Sequence, residues 1–414
     1  MNLSLRWRLT LMMFLQYAIW GAWAPVLGAY LGSPPKGGDP NLYLGFQPIQ
    51  VGIIFSVLPL ATILAPFIFG QLADRMMASQ HLLAICHILG GTSIVLMGLQ
   101  HQYGLFLVFM AAYSLFYAPT LALTNSLTFA HLSDSERQFG GIRVGGTVGW
   151  IIAGLVLAGW RKWLPVVPGD LLYLSGGFAI LLGLFSLALP HTPPKKEGAN
   201  PLAFLEALKL FKNRNFAIFM VISFIVGTEL EFYYILTSPY LEHLGFARAS
   251  VPAVMTIAQA AEIVVMAVLL PLLLPRLGAR RLLAMGVIAW PLRYAIFAFL
   301  PISWLVAASL AIHGFCYVFF FVVGFIYVDR VAPKDIRASA QALVAIVVLG
   351  AGRYLGSNFA GWIQGHFTAD KVTNWQMVFL VPCALTVACA LAFLLFFREE
   401  KGAGKPAAEP VAAG

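Results

Sequence analysis

The chain has 414 residues, 60% of them hydrophobic and only 10% charged, with a mean hydropathy of +0.84. A soluble domain carries roughly 45–50% apolar and about 25% charged residues, so this composition cannot clothe a water-facing surface and excludes a soluble enzyme and a disordered chain. The formal charge of +9 comes with no basic block, zinc pattern or helix-turn-helix pattern, which argues against nucleic acid as a partner.

Apolar stretches of about 20 residues recur between polar breaks, the length at which a helix spans a hydrocarbon core roughly 30 Å thick. In chain order twelve spans are predicted: 8–31, 49–72, 81–100, 104–129, 141–160, 171–190, 215–238, 251–274, 281–300, 303–328, 338–363 and 375–397. The runs are continuously apolar, whereas barrel strands alternate over about ten residues, so the expected class is an all-α integral membrane protein. The longest polar stretch, His191 to Arg214, divides the spans six and six. The expected organisation is a six-helix bundle over 1–190, a cytoplasmic linker over 191–214, a second bundle over 215–397 and a disordered cytoplasmic tail over 398–414. Arg6 and Arg8 before the first apolar run resemble a signal peptide, but that run is long enough to span and carries Gln16, Trp20 and Trp23, so it reads as a retained first helix. Cys86, Cys316, Cys383 and Cys389 all fall inside spans and read as apolar packing residues rather than a disulfide frame or metal site.

Orientation follows from Lys and Arg. One set of breaks, together with both termini, holds eighteen of them; the opposite set holds five, Lys36, Arg161, Lys162, Arg248 and Lys371. Both termini are therefore expected in the cytoplasm. Three arginines remain inside the spans, Arg143, Arg293 and Arg353, matched by three acids, Glu229, Glu231 and Glu262. An intramembrane charge is costly and marks a functional site by default. Six that balance to zero suit a dry interior.

Twelve spans in two halves resemble the plan of the major facilitator superfamily. The loop Gly70-Gln71-Leu72-Ala73-Asp74-Arg75 is similar to that superfamily's signature after its second helix, and Arg276-Leu277-Gly278-Ala279-Arg280-Arg281 to a degenerate second copy. The resemblance makes Asp74 and Arg75 a conformational latch that holds the cytoplasmic side closed. Longer strings resemble one branch, the bacterial nucleoside:proton symporters. They are Phe14 to Trp23 in the first span, Ala84 to His87 in the third, Tyr117 to Thr120 with Asn125 in the fourth and Ile142 to Gly149 in the fifth. The second half adds Gly227 to Leu230, Gln259 to Glu262, Ala289 to Arg293 and Ile336 to Gln341.

The chemistry a nucleoside carrier needs is aromatic faces for a flat base and amide or carboxylate groups that take two hydroxyls at once. On the fifth span Arg143, Thr147 and Trp150 share a face at i, i+4, i+7; Gln259 and Glu262, and Glu231 and Tyr234, are i, i+3 neighbours, and His313 and Tyr317 are i, i+4. Glu229 stands about 200° from Glu231 on an ideal helix and must face elsewhere. By resemblance these positions on spans five, seven, eight and ten line a central cavity, and they are the candidate substrate site. Three positions depart from the family pattern: Val318 stands where an acid is expected, and Glu231 and Tyr234 stand where amides are.

The expected coupling ion is a proton, with no other cofactor, taken up from outside by Glu262, with Glu231 sharing the task. Desolvation disfavours a carboxylate and a nearby arginine favours it, so cavity closure can drive proton exchange. Two carboxylates and Arg143 carry −1, which one proton makes neutral. Other readings stand beside these. Glu262 and Arg143 can form a structural ion pair; Arg293 and Arg353 read as structural, pairing Glu229 or helix-end carbonyls; Trp20 and Trp23 read equally as packing or interfacial anchors, and His313 as a hydrogen-bonded interior histidine. His87 has no predicted partner.

The expected function is import of nucleosides with protons by rocking of two halves about a midplane site, in a protein acting as a monomer in the bilayer. One alternative keeps the fold and carries a sugar or another small polar metabolite. A membrane-embedded enzyme is disfavoured, because the chain has no HExxH pair, GxSxG elbow or Walker loop.

Overall fold

The computed structural model describes residues 3–70, 72, 76–194 and 202–398. Among them run twelve helical segments: α1 (Leu3–Leu31), α2 (Pro48–Phe69), α3 (Ser79–Gly98), α4 (Tyr103–Ala130), α5 (Ser135–Trp163), α6 (Asp170–Ser186), α7 (Arg214–His243), α8 (251–277), α9 (279–299), α10 (Ser303–Val331), α11 (Arg337–His366) and α12 (Trp375–Phe396). Ten helices are long and apolar enough to cross a membrane. One of them, Val251–Phe299, is two crossings joined at Gly278, and α6 is a shorter apolar helix, which accounts for all twelve expected spans. Gly278 has φ +75° and ψ 167°, a region open only to glycine, and there the chain turns back between α8 and α9. The Asp74–Arg75 latch and the tail beyond Arg398 lie outside the described residues.

Leucine and valine side chains stay exposed along the outer flanks, among them Leu89, Val108, Leu181, Val221, Leu292 and Leu391. Polar groups such as Gln16, Ser114, Thr120, Glu231 and Arg293 are buried. A chain that meets lipid has this arrangement, because apolar side chains gain nothing by hiding from acyl tails while every polar group needs an internal partner. The four cysteines are free thiols, each buried within a helix.

The packing carries an internal symmetry. α1 lies on α5 and α6, α3 on α4 and α6, and α2 on α4; six places on, α7 lies on α11 and α12, α9 on α10 and α12, and α8 on α10. The contacts between the first six and the last six helices obey the same shift, α2 against α11 and α8 against α5. Such pairing is the two-bundle plan of duplicated halves.

At the end of the molecule opposite the two termini the halves are clamped. An added Cβ on Gly28 of α1 would stand 1.9 Å from the Ile235 carbonyl of α7, so only glycine permits this crossing. Beside it the Ala29 amide donates to Ser238 Oγ, and the Tyr43 hydroxyl donates to Glu242 Oε2 at 3.0 Å. Asp170, fully buried at the start of α6, accepts two bonds from Arg161 at 2.7 and 2.8 Å and a third from Arg248 of the second half at 3.2 Å. Arg161 also donates to the Arg248 carbonyl. Sequence reading used these three residues only as loop charges.

Removing the Arg248 side chain leaves Asp170 with Arg161 but cuts the ion pair across the halves. Arg248→Ala is expected to cost the closed state about 1.5 kcal/mol, the worth of one hydrogen bond to a charged group, or about tenfold in the closed-to-open ratio. A cysteine at Ser238, probed with a membrane-impermeant thiol reagent, should label faster by about that factor; an unchanged rate would show that the clamp does not set this equilibrium.

Candidate functional site

Three rings from three helices meet near the middle of the molecule. Trp20 of α1 and Trp150 of α5 stand edge to face with centroids 5.4 Å apart, and Trp150 lies 6.3 Å from Tyr234 of α7. Behind them the Arg353 guanidinium of α11 sits 5.4 Å from the Trp20 ring and 5.2 Å from the Tyr234 ring. Arg353 Nε donates to Glu231 Oε1, and Ser357 Oγ donates to Glu231 Oε2 at 2.9 Å. Glu231 is wholly buried. The expected partner of Arg353 was Glu229 or a helix-end carbonyl; the structure gives it Glu231 instead, because α11 packs on the face of α7 that carries Glu231 and Tyr234.

Glu229 turns the other way, as its angle on α7 requires. Its main-chain carbonyl accepts a hydrogen bond from Tyr294 of α9, its carboxyl Oε1 lies 3.5 Å from Thr228 Oγ1, and Oε2 has no partner among the described residues. Arg293 likewise bonds neither acid. Its Nη1 lies 3.0 Å from His313 Nδ1, and its guanidinium lies over the rings of Tyr233, Trp290 and Tyr294. An arginine can only donate, so Nδ1 of His313 accepts and the ring proton sits on Nε2. That tautomer, and stacking between Tyr233 at 4.6 Å and Tyr317 at 5.9 Å, make His313 a fixed interior histidine.

The remaining two charges differ from these. Arg143 of α5 and Glu262 of α8 are partly exposed, as are Thr147 and Tyr317, whereas Gln259, one turn before Glu262, is buried. The Arg143 guanidinium covers the Tyr17 ring at 3.9 Å. Glu262, Arg143, Tyr17 and Arg353 all lie within electrostatic range of the Tyr317 hydroxyl, and Arg143 is the charged group acting on Glu262. The two belong to opposite halves. A π-helical turn follows Glu262 at Val265–Leu269, another runs from Phe315 to Val322 through Tyr317, and a third, Ile346–Gly352, ends at Arg353. Such turns accumulate at functional positions because each slips the helix register and re-aims the side chains beyond it.

The six interior charges therefore divide into one buried ion pair, one arginine on a histidine, one buried acid with a single long contact to Thr228, and two partly exposed charges, Arg143 and Glu262, that lie within electrostatic range without an ion pair between them. Sequence reading missed the support beneath Trp20. Gln16 Nε2 donates to Thr120 Oγ1 at 2.8 Å, its Oε1 lies 2.8 Å from His87 Nε2, and its carbonyl accepts from Tyr117. A glutamine mid-span was the available signal, and it supplies the partner that His87 lacked. Val318, next to Tyr317, is fully buried.

The sequence profile described as Nucleoside H+ symporter matches residues 1–402. The chain is 33% identical to the putative nucleoside transporter YegT of Escherichia coli, over 95% of this chain and 93% of that one. It is 30% identical to the nucleoside permease NupG of the same organism, over 96% of each. The crystal structure of the nucleoside transporter NupG superimposes with a TM-score of 0.84 at 28% identity, covering 97% of this chain and all of that one. A match along nearly the whole length, on the fold described above, makes this chain a member of the nucleoside H+ symporter family, a membrane transporter of the major facilitator type.

Proposed function

We propose that the protein imports nucleosides together with protons across the bacterial inner membrane as a monomer, with both termini cytoplasmic, by rocking of bundles 1–190 and 215–397 joined through 191–214. With that orientation the clamped end faces outward. The observation that carries the reading is that Arg143 and Glu262, partly exposed and from opposite halves, lie within electrostatic range of each other and of Tyr317, near the aromatic faces of Trp150 and Tyr234.

Arg353 joins Glu231, Glu262 and Arg143, so two carboxylates face two arginines rather than one, and the expected charge of −1 becomes zero. Glu231 already accepts from Arg353 and Ser357, which leaves Glu262 as the carboxyl free to exchange a proton. A proton on Glu262 removes the negative charge that faces Arg143, whose donors then turn to other acceptors. The oxygens of a base and a ribose are such acceptors, so proton and substrate enter together. Trp150 and Tyr234 supply the base with π-faces, while Thr147, Gln259 and Tyr317 supply hydrogen bonds; His313 acts behind Tyr317, and Glu231 anchors Tyr234 through Arg353.

In proteoliposomes a gradient of about one pH unit supports about tenfold accumulation of uridine per coupled proton. Glu262→Gln should bring accumulation down to equal concentrations on both sides while uridine exchange persists and loses its pH dependence. Unaltered gradient-driven accumulation would remove Glu262 from the coupling.

Trp150→Leu should lose about 1 kcal/mol of aromatic contact, about fivefold in apparent affinity for uridine. Competition by free ribose should be unaffected. Equal losses for both, or preferential competition by sugars over nucleosides in the parent, would transfer the site to a sugar or another polar metabolite.

A further inference from the structure

The segment Ala203–Lys212 runs as ten residues of 3₁₀ helix, a form seldom longer than one turn. With three residues per turn, every third side chain eclipses, so the sequence resolves into three straight rows. Phe204, Ala207 and Leu210 face the protein: Ala207 is fully buried and the segment packs on the first turns of α11 and on α7. Glu206, Lys209 and Lys212 form a charged, exposed row, with Arg214 just beyond it. The third row is apolar and uncovered, Leu205 at 45%, Leu208 at 47% and Phe211 at 38% exposure.

An apolar row of this kind on the flank of a crossing helix needs no comment, but this segment lies before α7 begins. Its level is fixed by the chain: Asn213 caps α7 immediately afterwards, accepting from the amides of Asn215 and Phe216. Phe211 meets Phe216 edge to face at 5.5 Å, so the row runs on from the first turn of a membrane-crossing helix. A prism with one face on protein, one apolar and one basic fits a single place, the boundary between acyl chains and headgroups.

We propose that Ala203–Lys212 is an interfacial strut, with Leu205, Leu208 and Phe211 seated among the upper acyl chains and Lys209 and Lys212 against the phosphates of anionic phospholipid. Lys209, Lys212 and Arg214 against the single acid Glu206 give the charge complementarity that selects an anionic surface. Because the buried row rests on α11, the strut ties the start of that helix to the bilayer surface.

The test uses the full-length protein with Leu208→Cys carrying an environment-sensitive fluorophore, the native thiols being buried. It is reconstituted in phosphatidylcholine vesicles with increasing phosphatidylglycerol. Lipids brominated near the top of the acyl chain should quench the probe and aqueous iodide should not, and quenching should rise several-fold with phosphatidylglycerol. With Lys209→Gln and Lys212→Gln added, that rise should vanish. Quenching by iodide alone would place the row in water, and protection from both quenchers would place it under a protein; either overturns the proposal. A phosphatidylglycerol response undiminished by the two lysine substitutions would overturn the headgroup assignment.

Discussion

The interaction on which the site depends is the buried pair of Arg353 and Glu231. Alone in the membrane interior, either charge would be costly; together, with Ser357 satisfying the second carboxylate oxygen, they form a fixed unit between α7 and α11. The pair also has a face. The guanidinium lies against Trp20 of α1 and Tyr234 of α7, so a charge settled within the second half holds an aromatic wall to which the first half contributes two rings. Removing one partner would leave a buried charge uncompensated, a loss of about 3–5 kcal/mol, and would also release the ring geometry on which the proposed base recognition rests. On that proposal stability and recognition share one pair.

Contacts between the halves divide by depth. At the end away from the termini they are steric and numerous, with Gly28 against a backbone carbonyl and Asp170 shared between arginines of both halves. At mid-depth they include the Arg353 guanidinium over Trp20 and the partly exposed Arg143 and Glu262, which lie within electrostatic range of each other. A clamp of buried, multiply bonded charge holds one conformation. Partly exposed charges without a direct bond between them are held more weakly. In the proposed alternating access the end contacts make and break as a group while the site charges respond to what binds.

The fold was legible because lipid imposes it: twenty apolar residues in a row have one use, and the twelve expected segments all recur, with Gly278 marking one turn that hydropathy alone had to infer. Side-chain facing was legible too, since helical angles put Glu231 with Tyr234 and turned Glu229 away. Partner choice was not. Arg353 lies 122 residues from Glu231, and Asp170 lies 78 residues from Arg248, and no local period connects such positions. The register slips at Val265–Leu269, Phe315–Val322 and Ile346–Gly352 compound the difficulty, because beyond each of them an ideal helical wheel points the wrong way. Gln16 shows the reverse case: its polarity was visible, yet only the packing of α1, α3 and α4 reveals that it joins His87, Thr120 and Tyr117.

The internal symmetry of the packing makes the asymmetry of the charges informative. Helix contacts repeat under a shift of six, but the interior charges do not: the first half holds Arg143, and the second holds Glu229, Glu231, Glu262, Arg293 and Arg353. The first half is therefore +1 inside and the second −1 when every group is ionised. Attraction across the midplane then exists only while the second half keeps its excess negative charge. Of its three acids, Glu231 is occupied by Arg353, Glu229 is buried with one carboxylate oxygen near Thr228, and Glu262 is the partly exposed one that faces Arg143. On the proposed reading, one proton on Glu262 removes the attraction between the halves and, in the same step, the negative charge that faces Arg143. A duplicated scaffold then supplies the two bodies that move, and the proposed proton site supplies the reason for them to move together with a proton.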